Sequence, residues 1–126
     1  MTRAERGGIA RAIAAAESGT SGRIAVRIIP DAGVDAFERA KREFGRIGLQ
    51  RHPSANAALV LVAPKARRFA VIGDRALHER VGSAFWESVV AESKPFFVAD
   101  NVCAGILYAV DRIGQALHEY FPEASR

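Results

Sequence analysis

The chain is 126 residues long, 49% hydrophobic and 25% charged, with 11 glycines and 5 prolines. That composition fits one globular domain and excludes a second domain, a disordered chain and a repeat array. The net charge of +4 permits an acidic partner without requiring one. Cys103 stands alone, so neither an intrachain disulfide nor a cysteine metal cluster can form.

In chain order, Thr2 and Glu5 come first, with the spacing of a capping box in which each side chain satisfies a backbone donor of the other. Ile9, Ile13 and Ala16 then share one face, and Gly19 suits a left-handed stop, so a helix is expected over Arg3 to Ser18. Arg23 to Ile29 alternates: Ile24, Val26 and Ile28 point one way, Arg23, Ala25 and Arg27 the other. This reads as a strand with one wetter face, ended by Pro30. Asp35 and Glu38 resemble a second cap pair. After them Phe37, Ala40, Phe44 and Ile47 form the stripe of a helix ending near Gly48.

Ala57 to Val62 and Phe69 to Ile72 are continuous apolar runs, which suit strands covered on both faces. The short link Pro64-Lys65-Ala66-Arg67 makes them an antiparallel hairpin. Leu77, Val81, Phe85 and Val89 repeat every four residues and predict one helix, broken at Lys94-Pro95. Phe85 and Trp86 are expected to pack against the sheet or the last helix. Asp100 is expected to cap that last helix, whose stripe is Val102, Ile106, Val110, Ile113, Leu117 and Tyr120. The order is α-β-α-β-β-α-α: four helices over a small mixed sheet, with the first two strands parallel.

No apolar run approaches the ~20 residues of a membrane helix. Arg3, Glu5, Arg6 and Arg11 interrupt the N-terminus, and Ala12 to Ala16 is shorter than the ~7 apolar residues of a minimal signal core. A cytosolic location is therefore the expectation. There is no dinucleotide or phosphate-loop glycine motif and no histidine pair at a metal-binding spacing. Gly19-Thr20-Ser21-Gly22 precedes a strand and is one residue too short for a nucleophile elbow. Cys103 lies on or beside an apolar stripe and reads as packing; His118 reads as a solvated residue near a helix end. Arg39, Lys41, Arg42, Arg46, Arg51 and His52 cluster on or after the second helix, but Glu38 and Glu43 dilute their field. No exposed aromatics are expected among them for base stacking, so nucleic-acid binding is not expected.

One edge gathers polar residues. The starts of the two parallel strands and the end of the returning strand meet there. They bring together Thr20, Ser21, Gly22 and Arg23, then His52 and Asn56, then Asp74, Arg75 and His78. Ser21, Arg23, Asn56, Asp74 and His78 are the candidate ligand-binding residues. A plainer reading stands beside this one: Asp74 is a helix cap, Thr20 and Ser21 make a turn, and Asn56 starts a strand.

The pattern resembles the TPM-domain family over nearly the whole length. Thr20-Ser21-Gly22-Arg23-Ile24 after the first helix is similar to the family's opening, and Asn56 with its apolar strand to the second block. Val71-Ile72-Gly73-Asp74, Leu77-His78-Glu79-Arg80-Val81-Gly82 and Phe85-Trp86 form the third and most specific block. Gly114-Gln115-Ala116-Leu117 and Phe121-Pro122 resemble the last. The resemblance implies a three-layer α/β/α sandwich. It also implies a binding or accessory function near membrane complexes, with a membrane-associated protein partner; that the chain itself does not insert in the membrane is expected from its short apolar runs. A phosphatase activity is attributed to the family, and calcium binding to some members. Arg23 stands where members commonly have Glu, and Ala57 where they have Gly. A guanidinium facing Asp74 would repel a cation, so weak or no calcium binding is expected; on the alternative, Arg23 points to the other face and coats the surface.

Overall fold

The structure, a computed structural model, describes residues 1–30 and 35–123. Helix α1, Arg3–Glu17, starts on the capping box: Glu5 N–H donates to Thr2 Oγ1, and Thr2 N–H to Glu5 Oε1, both at 3.0 Å. Strand β1 follows over Arg23–Ile28, and helix α2 over Ala36–Arg46, whose first-turn donors Phe37 N–H and Glu38 N–H are taken by the Asp35 carboxylate. The hairpin joins β2, Ala57–Ala63, to β3, Arg68–Gly73. Three helices finish the chain: α3, Arg75–Val81; α4, Ser83–Val98; and α5, Val102–Tyr120.

The sheet has the order β1-β2-β3, with β1 parallel and β3 antiparallel to the central strand. All of β2 is buried, as its unbroken apolar run requires. Alternation then assigns the two faces. Ile24, Ala58, Val60, Val62 and Val71 meet α1, α4 and α5 on one side; Ala57, Leu59, Leu61 and Ala70 meet Ala40 and Phe44 of α2 on the other. The result is the expected three-layer α/β/α sandwich.

Four local expectations are corrected. The single helix over Leu77 to Val89 is two helices, because Gly82 at φ 77° and ψ 168° turns the chain in a way that a side chain would resist. The apolar spacing persisted across the break because both short helices face the same core. Pro95 does not end α4, which runs on to Val98. It removes one ladder bond there, and the Phe97 ring beyond it packs on Phe69 with the ring centroids 4.3 Å apart. Asn101, not Asp100, caps α5 by accepting from Ala104 N–H, while Asp100 takes a left-handed conformation at φ 63°. Phe37 does not join the buried stripe of α2; it is 51% exposed. No helix among the described residues is long and apolar enough to cross a membrane.

Candidate functional site

The polar end of the sheet is built by three short segments. Thr20 is buried, and its hydroxyl ties the link before β1 to the end of α5. It donates toward Phe121 O at 2.6 Å and Leu117 O at 3.2 Å, and accepts from Gly22 N–H at 3.1 Å. Ser21 is thereby placed beside β2. Its hydroxyl accepts from Asn56 Nδ2 at 3.0 Å, and its carbonyl lies 2.7 Å from His52 Nε2. Asn56 is completely buried, and its Oδ1 has no hydrogen-bond partner.

Ala55, left-handed at φ 52°, turns the chain into β2, and its carbonyl accepts Ala76 N–H at 2.9 Å. That bond locks α3 against the start of β2. Asp74 caps α3, accepting from Arg75 N–H at 2.7 Å. His78, one turn on, accepts at Nδ1 from Trp86 Nε1 at 3.1 Å. The indole is mostly buried and lies on Gly73, where an added Cβ would sit 2.3 Å from the ring. Trp86 thus packs against β3, as expected for a core residue, with its one polar atom satisfied.

Of the five candidate residues, the structure joins Ser21 to Asn56 directly and places Asp74 and His78 on one turn of α3. Arg23 pairs with Ala57, and Asp74 N–H donates to Ala57 O, so Arg23 and Asp74 share one row across the sheet. Two strand spacings, about 10 Å, separate their backbones. No ion pair joins them: the Asp74 carboxylate is turned to its own helix, and Arg23 is exposed. A calcium ion would need six to eight oxygens with several carboxylates. Of the five candidate residues only Asp74 is a carboxylate, already engaged as a cap, and the Glu17 carboxylate near the start of β1 is taken by Ile24 N–H; among the described residues no three His, Cys, Asp or Glu side chains converge to hold a metal. The donor set does not fit calcium.

Two features escaped the sequence. Glu17, at the end of α1, reaches the outer side of β1 and accepts Ile24 N–H at 2.8 Å; only the turn at Gly19 brings it there. Glu43 on α2 is 4% exposed, bonded to Arg46, and 3.8 Å from Arg27 Nε on β1. The Arg46 guanidinium holds its carboxyl below the ordinary value. Burial raises the Cys103 thiol, with the Glu5 carboxylate adding to it, so this side chain is not an activated nucleophile. His118, exposed as expected, lies 2.9 Å from Ala16 O through Nε2 and ties α5 to α1.

Among solved structures, the chain is similar to the BA42 protein of Bizionia argentinensis, with 29% identity and a TM-score of 0.90, over 99% of this chain and 86% of that one. The N-terminal domain of a protein from P. gingivalis aligns at 17% identity and TM-score 0.80 over 99% of this chain and 83% of that one. The N-terminal domain of the cg2496 protein of Corynebacterium glutamicum aligns at 14% and 0.75, over 100% and 80%. At those two identities the likeness is one of fold. No curated protein gives a significant match. The TPM domain matches residues 1–116, and with that extent the chain belongs to the TPM-domain family.

Proposed function

We propose that this TPM domain is a binding or accessory module working beside membrane-associated protein complexes, rather than a hydrolase. One observation carries the reading. Four of the five candidate side chains are engaged in holding the fold: Asn56 through Nδ2 on Ser21, Asp74 on α3, and His78 under Trp86. Phosphate-ester hydrolysis asks for a metal with several carboxylates, or for a nucleophile beside a free base. Ser21 has neither next to it: its hydroxyl is bonded to an amide, and His52 faces its carbonyl rather than its Oγ. The membrane-complex setting is what membership of the family supports.

A second reading, a phosphatase-type hydrolase, is favoured by the buried, unpartnered Asn56 Oδ1 beside Ser21. The deciding experiment is turnover of a generic phosphate ester by the purified chain, with and without magnesium or calcium. No turnover above buffer is expected. Turnover lost in Asp74→Ala, with the circular dichroism spectrum unchanged, would establish the hydrolase and remove the module reading.

A further inference from the structure

Strand β3 is an edge of the sheet. Asp74 N–H donates to Ala57 O at 2.8 Å, so the antiparallel register makes Ile72, Ala70 and Arg68 the residues that turn their main chain to β2. Phe69, Val71 and Gly73, between them, turn N–H and C=O outward. Val62, opposite Phe69, agrees: its carbonyl points to the β1 side and accepts from Ile29 N–H at 2.8 Å. Among the described residues these outward groups of Phe69, Val71 and Gly73 have no partner.

An ordinary edge strand faces open water. This one is the floor of a groove of about 810 Å³ between α4 and the start of α2, prolonged past Gly73 by a recess of about 280 Å³. Trp86, Val90 and Phe97 of α4 form one wall, and exposed Phe37 of α2 the other. Of the outward residues Val71 is 5% exposed and Phe69 and Gly73 are half-buried, so the edge is sheltered between these walls. A second copy cannot reach it with its own β3, which is sheltered in the same way; a single extended chain can.

The charges lining the groove are sorted along it. Arg67 and Lys94 stand where β3 begins, and Glu87 where it ends. Asp35 is at the first end too, but its carboxylate is taken up by the α2 cap. A strand added antiparallel to β3 would bring its own C-terminal end to Arg67 and Lys94. We propose that the β3 groove binds an extended segment of a partner protein as a fourth, antiparallel strand, with apolar side chains at alternate positions and an acidic C-terminal end. Main-chain bonds to Phe69, Val71 and Gly73 hold it, the two apolar walls select its side chains, and the cationic end sets its direction. This deepens the binding-module reading and rests on it.

The test titrates the ¹⁵N-labelled full chain with acetyl-Thr-Val-Thr-Val-Thr-Val-Asp bearing a free carboxylate. Saturable shifts at the amides of Phe69, Val71 and Gly73 are expected. A strand uses only one of its two edges, so N-methylation of either the threonines or the valines abolishes binding, and methylation of the other set does not. Phe37→Asp, an exposed change that leaves the core alone, and Lys94→Glu each weaken binding by about tenfold or more, roughly the 1.4 kcal/mol of a single lost contact. Absence of shifts up to about 1 mM peptide, weaker than a −4 kcal/mol interaction, overturns the groove. So do shifts confined to Ser21 and Asn56, or equal effects of the two methylated sets. Such a failure with no phosphate-ester turnover removes the groove and leaves the module; turnover abolished by Asp74→Ala removes the module itself.

Discussion

The two edges of this three-stranded sheet are treated differently. On β1 the outward Ile24 N–H is taken by the Glu17 carboxylate, and Arg23 and exposed Arg27 flank the strand with charge. These are the devices by which edge strands are kept from pairing. On β3 the outward groups of Phe69, Val71 and Gly73 are left without partners, between apolar walls that screen them from broad surfaces. A protein that blunts one edge and shelters the other, still open, has kept the second for a chain narrow enough to enter. The same contrast separates the groove from the polar end of the sheet. There Ser21 and Asn56 are bonded to each other, Asp74 to its own helix and His78 to Trp86.

The largest effect is expected at the groove wall. Trp86→Ala removes the ring that lies on Gly73 and should cost about 3–5 kcal/mol in denaturant unfolding. A loss well under 1 kcal/mol would show the wall to be surface rather than core. Glu17→Ala leaves Ile24 N–H without its acceptor and should cost about 1–2 kcal/mol. It should also make the protein associate through β1, which light scattering would detect; a variant as stable and as monomeric as the parent would erase the contrast between the edges.

Glu43 gives a milder effect, visible in acid. The hydrogen bond from Arg46, with the charges of Arg46, Arg27 and Arg39 assisting against burial, lowers its folded value. A depressed carboxyl contributes stability above its ordinary value of 4.5, and that contribution is lost as pH falls from there through the folded value. Glu43→Gln should therefore flatten the stability profile below that point; an unchanged acid limb would contradict the pairing. Phe37→Asp is expected to change stability least, by under about 0.5 kcal/mol, because the side chain is half in solvent. A larger cost would mean that Phe37 supports the core rather than one wall of the groove.

The strands were legible because their signals are local: an unbroken apolar run for β2, alternation for β1, a short link for the hairpin. The Thr2–Glu5 and Asp35 caps were legible for the same reason. What failed was where two rules competed. Gly82 divides a helix whose apolar spacing continues past it. Pro95 costs a ladder bond but does not stop the helix, whose next turn carries Phe97 onto Phe69. Asp100 and Asn101 are adjacent cap formers, and only the backbone angles choose between them. At the polar end, sequence order suggests one edge for Ser21, Arg23, Asn56, Asp74 and His78; the structure joins Ser21 to Asn56 and sets Asp74 and His78 on one turn of α3. The bonds these side chains make were not legible, because they depend on rotamers and, for Ser21, on the Thr20 anchor to α5. The groove left no mark in sequence: that β3 is an edge, and that Phe37 stands opposite α4, are facts of tertiary packing alone.

The openness of the β3 edge is tested most directly by native-state amide hydrogen exchange on the free chain. Main-chain bonding to β2 alternates along the strand, so protection should alternate too: Ala70 and Ile72 slow, Phe69, Val71 and Gly73 faster by about tenfold or more. Uniform protection along β3 would mean that its outward groups are already bonded, and the edge would be closed.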